Sequence, residues 1–191
     1  MPMKSPWPVR TGSLVLRDVR DEEIERLLTI RNNPSANKFM FRTFVEPETF
    51  RMEWLTVADS EDDFSCVAEC NGEVVGMGYL EIVDGMGQPG MPKRTEAVLA
   101  YVIEPVHWGK GFGTSLAKGL LETAFDHIGV RRVTAKCNAD NLASVRILES
   151  LGMRREQHGV ADSWHADFGW IDGYQYAMLR EEWKVRRSFD Q

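Results

Sequence analysis

Eight residues, His107-Trp108-Gly109-Lys110-Gly111-Phe112-Gly113-Thr114, constrain this chain more than any other stretch. They join an apolar run, Glu96–Ile103, to the most regular amphipathic pattern in the sequence. In that pattern Phe112, Leu116, Leu120, Ala124 and Ile128 recur every fourth residue. Three alternate glycines leave the backbone free of β-carbons, so neighbouring N–H groups can converge on one anion. The helix behind them adds a partial positive charge. The spacing predicts a phosphate or pyrophosphate cradle between a strand buried on both faces and a helix. Two other phosphate motifs fail residue by residue. No Gly-Lys pair is followed by a hydroxyl at the P-loop spacing, and Thr114 stands where a dinucleotide fingerprint needs its third glycine.

Around this segment the pattern is mixed. Residues 1–12 read as a loose arm, and Ser13–Val19 alternates as a strand. Asp21, Glu22 and Glu23 suit the start of a helix whose stripe is Ile24, Leu27 and Leu28 and whose stop is Asn33-Pro34. A second helix runs from Pro47 to about Ala58 and buries Phe50, Trp54 and Val57. The connector between them, Asn32–Glu46, carries Phe39, Met40, Phe41 and Phe44, which makes it either a packed loop or one wall of a pocket. Phe64–Cys70 and Glu73–Val83 form a hairpin across Asn71-Gly72. Asp84–Thr95, rich in glycine and proline, is a loop. Arg131–Cys137 alternates strictly, Asp140–Leu151 is a short helix stopped by Gly152, and strands at Met153–His158 and Gly169–Arg180 close the chain. The sum is one α+β domain over 1–191, built on a largely antiparallel sheet.

Composition narrows the partners. At 191 residues, 43% hydrophobic and 27% charged, the chain supports one core. No apolar run approaches the roughly 18 residues of a membrane span. The proline-rich start, Met1–Arg10, lacks a secretory signal, so a cytoplasmic location is the expectation. A formal net charge of −6 argues against nucleic-acid binding and favours a cationic substrate through long-range steering. Cys66, Cys70 and Cys137 are expected to be reduced, and Cys66 and Cys70 to share one strand face. His107, His158 and His165 share no metal-ligand spacing, so no metal is expected, although His158 is a candidate wall of an acceptor site. Trp164, Phe168 and Trp170 are expected in the core or on its rim.

Several stretches together carry a resemblance. They are Tyr101-Val102-Ile103-Glu104-Pro105, then Trp108–Gly113, then Asn138, Asn141 and Ser144 in an N-x-x-N-x-x-S run, then Leu151-Gly152-Met153, and finally Tyr176–Trp183. Across most of residues 13–183 the chain resembles the GNAT acyltransferases, specifically the branch that acetylates N-termini of ribosomal proteins. Their signature is Q/R-x-x-G-x-G/A; Gly111 and Gly113 fill its small positions and Trp108 replaces the usual Gln or Arg. The resemblance implies about seven strands, splayed between the fourth and fifth, with four main helices. It implies acetyl-CoA as co-substrate, its pantetheine arm pairing near Val102 and Ile103 and its pyrophosphate on Trp108, Gly109, Lys110, Gly111, Phe112, Gly113 and Thr114. Asn138, Asn141, Ser144 and Arg146 complete the implied binding set, with Lys110 and Arg146 offsetting phosphate charge.

The implied reaction is attack of an amine on a thioester in a ternary complex. Departures from the pattern matter here. Leu148 stands where many relatives place a tyrosine, which leaves Ser144 as the candidate donor to the departing thiolate and Asn141 as its positioner. Val98 stands where a glutamate is common, and Glu96 is the candidate base in its place. The expected acceptor is a primary amine, a protein N-terminus or else an amino acid, polyamine or antibiotic. A non-catalytic acyl-CoA-binding module is the alternative, and a monomer or homodimer fits either. The acceptor pocket is expected from the loops Asn32–Glu46, Asp84–Thr95 and Gly159–Phe168.

Overall fold

A computed structural model describes residues 5–189. Eight strands form one sheet in the order β1-β2-β3-β4-β5-β6-β8-β7. They are β1 (Val9–Thr11), β2 (Leu14–Arg17), β3 (Cys66–Cys70), β4 (Glu73–Val83), β5 (Glu96–Ile103), β6 (Arg132–Asn138), β7 (Arg154–His165) and β8 (Gly169–Leu179). Every pairing is antiparallel except β5 with β6. The helices are α1 (Ile24–Arg31), α2 (Pro34–Asn37), α3 (Pro47–Thr56), α4 (Phe112–Glu122, continuing as a π turn to Ile128), α5 (Leu142–Ser150) and α6 (Arg180–Phe189).

The strand count exceeds expectation by one because the arm is not loose. Val9 pairs with Leu16 and Thr11 with Leu14. Trp7 and Val9 are buried, and the Thr11 hydroxyl donates to Ser115 O at 2.8 Å, tying β1 to α4. Residues 1–4 of that arm lie outside the described range. At the other end Arg180–Phe189 is helical rather than the end of a strand. Trp183 is buried against Phe125 with ring centroids 5.9 Å apart, and its indole N–H donates to Asp126 at 3.0 Å.

The sheet is covered unequally. One face packs against α4, α5 and α6, with Leu116, Leu120, Leu148 and Trp183 in its core. The other meets α1 and α3 through Leu27, Phe50 and Trp54, side chains whose full burial contributes about 1.5–3 kcal/mol each. The predicted hairpin forms at Asn71 (φ 51°) and Gly72 (φ 83°), the left-handed pair that a two-residue turn requires. Cys66 and Cys137 are buried and Cys70 half-buried, all free; burial raises the Cys66 thiol and pushes Cys137 up to about 11.

One irregularity positions the site. β5 and β6 run parallel but pair only at Glu96↔Arg132, Ala97↔Val133 and Val98↔Thr134, then part. The splay therefore lies between the fifth and sixth strands, the fourth and fifth of the expected set. β5 is also not buried on both faces as its apolar run suggested, since Val98 is 36% exposed although paired on both sides.

Candidate active site

The cradle follows from local backbone chemistry. After β5, Pro105–His107 make a single 3-10 turn, and Gly109 (φ 75°) and Gly111 (φ 77°) take the left-handed conformation. A Cβ on either would meet nothing within 4 Å, so both look onto open space. α4 starts immediately afterwards with no side-chain cap, which leaves its first-turn N–H groups for an outside acceptor. Gly113 has a different task. A Cβ there would lie 2.9 Å from Ile147 Cδ1, so its smallness lets α5 approach α4. Trp108 pins the loop to the strand by donating its indole N–H to Ile103 O at 2.8 Å.

Between the parted strands lies a cavity of about 640 Å³. Leu99–Ile103 and Ala135–Cys137 form its sides, the cradle and the start of α5 its upper end, and Ala36, Phe39, Met40 and Phe41 its outer wall. Glu104 donates its N–H to Val75 O at 2.9 Å, so by antiparallel alternation Val102 and Ala100 also spend their backbone groups on β4. Leu99, Tyr101 and Ile103 turn theirs toward the splay, and Trp108 already occupies the Ile103 carbonyl. The backbone open to an extended ligand arm is thus that of Tyr101, with the Leu99 carbonyl and the Ile103 N–H, and not that of Val102.

The Tyr101 hydroxyl is buried without a hydrogen-bond partner, in a molecule whose other buried hydroxyls mostly have one. Burial pushes its pKa up to about 12, opposed by the Ser144 side chain beside it. Ser144 sits in the first turn of α5, where the Asn141 side chain caps the helix by accepting the Ser144 N–H at 3.2 Å. Asn138 is buried at the end of β6 and does not line the cavity; its side-chain Oδ1 accepts the Asp140 N–H at 2.8 Å, and its Nδ2 has no partner.

Of the residues singled out in the sequence, Val102, Ile103, Trp108, Gly109, Gly111, Phe112, Gly113, Thr114, Asn141 and Ser144 line this cavity. Lys110 does not: its ammonium lies 3.3 Å from His107 Nδ1. Arg146 is exposed on α5. Glu96 is also absent from the lining. It lies at the paired end of β5, about 16 Å along the strand from Tyr101. Arg131 binds it there, and Arg132 lies 3.7 Å away. Among the described residues no three His, Cys, Asp or Glu side chains group as metal ligands, and no helix is long and apolar enough to cross a membrane.

The acetyltransferase (GNAT) domain model matches residues 13–154. The chain belongs to the GNAT acetyltransferase family. An uncharacterized N-acetyltransferase, p20 of Bacillus licheniformis, is 25% identical over 180 residues, 91% of this chain and 96% of its own. The FsC-acetyl coenzyme A-N(2)-transacetylase of Aspergillus fumigatus is 24% identical over 189 residues, 96% of this chain and 80% of its own. Two solved structures share the fold. Mycobacterium smegmatis RimJ in complex with CoA-disulfide gives a TM-score of 0.76 at 20% identity, over 92% of this chain and 87% of that one. The spermidine/spermine N-acetyltransferase SpeG from Vibrio cholerae gives 0.75 at 18%, over 92% and 98%.

As a GNAT protein the chain is an acetyl-CoA-dependent acyltransferase. Of the three loops expected at the acceptor site, only 32–46 lines this cavity. Asp84–Thr95 lies before β5, at the opposite end of that strand. Residues 159–165 extend β7 past a bulge at Gly159/Ser163. His158 goes with them, paired to Asp172 at 2.7 Å, and Trp164, Phe168 and Trp170 are more than half exposed at the hairpin tip. Tyr101 and His107 are among the lining residues that the sequence reading gave no role. Tyr101 was legible only as part of a motif, because an orphaned hydroxyl is a property of packing and not of spacing.

Proposed function

We propose that this protein moves an acetyl group from acetyl-CoA to a primary amine by direct attack in the splay between β5 and β6. The observation that carries this reading is the Tyr101 hydroxyl, buried without a partner beside Ser144, below an uncapped helix N-terminus. Acetyl-CoA supplies a thioester carbonyl activated toward amines. Gly109, Gly111 and the first turn of α4 hold its pyrophosphate through backbone N–H groups. Leu99 and Tyr101 offer backbone groups to its extended arm, much as a missing strand would.

Tyr101 and Ser144 serve as hydrogen-bond donors to the departing sulfur. With a pKa near 12 the phenol stays protonated at neutral pH, and it is a weaker acid than a free thiol of about 8.5. Stabilising a thiolate by donation, rather than surrendering a proton to it, is the chemistry such a group performs well. Asn141 positions Ser144 by capping α5.

The acceptor arrives neutral. No carboxylate stands at Val98, and Glu96 is held by Arg131 and Arg132. An α-amine with a pKa of about 8 is roughly one-tenth neutral at pH 7, against less than about one-thousandth for a lysine side chain. An α-amine, of a protein N-terminus or of an amino-acid-like molecule, is therefore the favoured acceptor. Gly111→Glu tests the cradle, because a carboxylate there occupies the pyrophosphate space and repels it. Calorimetry should show CoA binding to the wild type and none to the variant at matched fold by circular dichroism. Retained micromolar affinity would refute this site.

A further inference from the structure

We propose that the acceptor is a primary amine carrying an apolar or aromatic group next to its nitrogen and no second ammonium, recognised by the connector between α1 and α3. This rests on the acetyl-transfer reading above and names the substrate class of the same cavity. The outer wall is made by Ala36, Phe39, Met40 and Phe41. None of the last three is fully buried, and Phe41 is 37% exposed, so large apolar surface faces an open volume that an apolar ligand would cover.

The wall is held in place from below. Arg31, at the end of α1, is only 3% exposed and makes no ion pair with a carboxylate among the described residues. Its guanidinium donates instead to the Asn37 side chain at 2.7 Å and to Arg42 O at 2.8 Å. Burial holds its pKa below the ordinary guanidinium value. A buried cation needs such acceptors, so Arg31 and the connector fix each other. Asn32 adds a second clamp, donating to Val45 O at 2.8 Å and accepting the Val45 N–H at 2.9 Å.

The charges exclude a polycation. Two charged side chains belong to residues lining the cavity, Lys136 and Asp140. Asp140 belongs to the turn into α5, at the cradle end. Lys136 has no ion pair among the described residues, and strand alternation places its side chain on the open face, opposite buried Ala135 and Cys137. Lys38 sits 5.2 Å from the centre of the Phe39 ring. Away from the cradle end the cavity lining thus carries one ammonium, Lys136, and no carboxylate, with exposed Lys38 beside Phe39 just outside the lining. A second ammonium on the acceptor would find repulsion there. The net charge of −6 acts from afar, but screening over about 8 Å at physiological salt lets the local wall decide.

The test is CoA release with phenylalanine amide, glycine amide, a peptide beginning with phenylalanine, and spermidine, using wild type, Phe39→Ala, Arg31→Met and Arg31→Lys. The wild type should favour phenylalanine amide over glycine amide by roughly tenfold or more in kcat/KM. Phe39→Ala should collapse that ratio toward one. Arg31→Met should raise KM for phenylalanine amide more than it lowers kcat, with CoA affinity kept and part of the loss restored by Arg31→Lys. Transfer to the peptide as well as the amide assigns a protein N-terminus, and transfer to the amide alone assigns a small molecule; both support the proposal. Preference for spermidine, or an unchanged ratio in Phe39→Ala, overturns it while leaving acetyl transfer standing. No CoA release with any amine overturns the transfer reading, and this inference with it.

Discussion

If Tyr101 and Ser144 both donate to the departing sulfur, as proposed, their energetics should be coupled. Tyr101→Phe removes an unpartnered donor without changing the ring that packs against the core, so stability should change little. Its effect belongs in kcat, which should fall roughly ten- to a hundredfold, within the range of a lost donor at a reacting atom. Ser144→Ala should fall similarly, and the double variant by less than the product of the two, with CoA affinity kept in all three. Full additivity would show that the hydroxyls act apart. Glu96→Gln separates the two views of the base. Since Glu96 is bound by arginines at the far end of β5, wild type and variant should trace one pH–rate curve whose midpoint follows the acceptor's own pKa. A defect at neutral pH that recovers as pH rises would restore Glu96 as the base. At this scale the sequence was informative where a residue's role is set by backbone geometry, as at Gly109 and Gly111. It was less so where the role depends on what lies across the fold. Glu96 shares a strand face with Val98, but only tertiary packing brings Arg131 and Arg132 to it.

Helices and strands were legible to the degree that their apolar stripes are local. The stripe of α4 and the Asn71-Gly72 hairpin stand as their spacing implies. β1 was not, because three residues beside prolines carry no periodicity and gain their order from β2 and α4. α6 was hidden for another reason. Its deeply buried anchor, Trp183, continues the alternation of Tyr176 and Met178 only loosely, while the better signal was Glu181 and Glu182 in its first turn and Arg186 and Arg187 in its last. Charge also knits the last elements together. Arg132 and Arg154, on β6 and β7, hold the Glu156 carboxyl down to about 2, from an ordinary 4.5. A carboxyl depressed in the folded state stabilises it above the unfolded value and loses that contribution as pH falls through the folded one. Stability should therefore drop between about pH 4.5 and 2 in part through this group. Glu156→Gln should flatten that limb in urea denaturation at stepped pH; an unaltered limb would show that the network contributes nothing.

For the whole molecule, the decisive feature is a sheet that stops pairing halfway along its one parallel contact. Three residue pairs hold β5 to β6, and the cavity opens above them, lined by two backbone edges, a glycine-rich turn, the capped helix bearing Ser144, and the α1–α3 connector. The cradle was readable because glycine spacing and helix start are contiguous in sequence. The connector 32–46 was readable only as a choice between packed loop and pocket wall, and Phe39, Met40 and Phe41 line the cavity. The remaining proposal, direct transfer without an acyl-enzyme, has a plain kinetic signature. None of the groups proposed to act on the thioester is a nucleophile with a depressed pKa, and the Cys137 thiol lining the cavity is pushed up to about 11. Initial rates with acetyl-CoA and phenylalanine amide varied together should give intersecting double-reciprocal lines, as a ternary complex requires. Parallel lines, with an acetylated protein trapped in the absence of amine, would contradict the account.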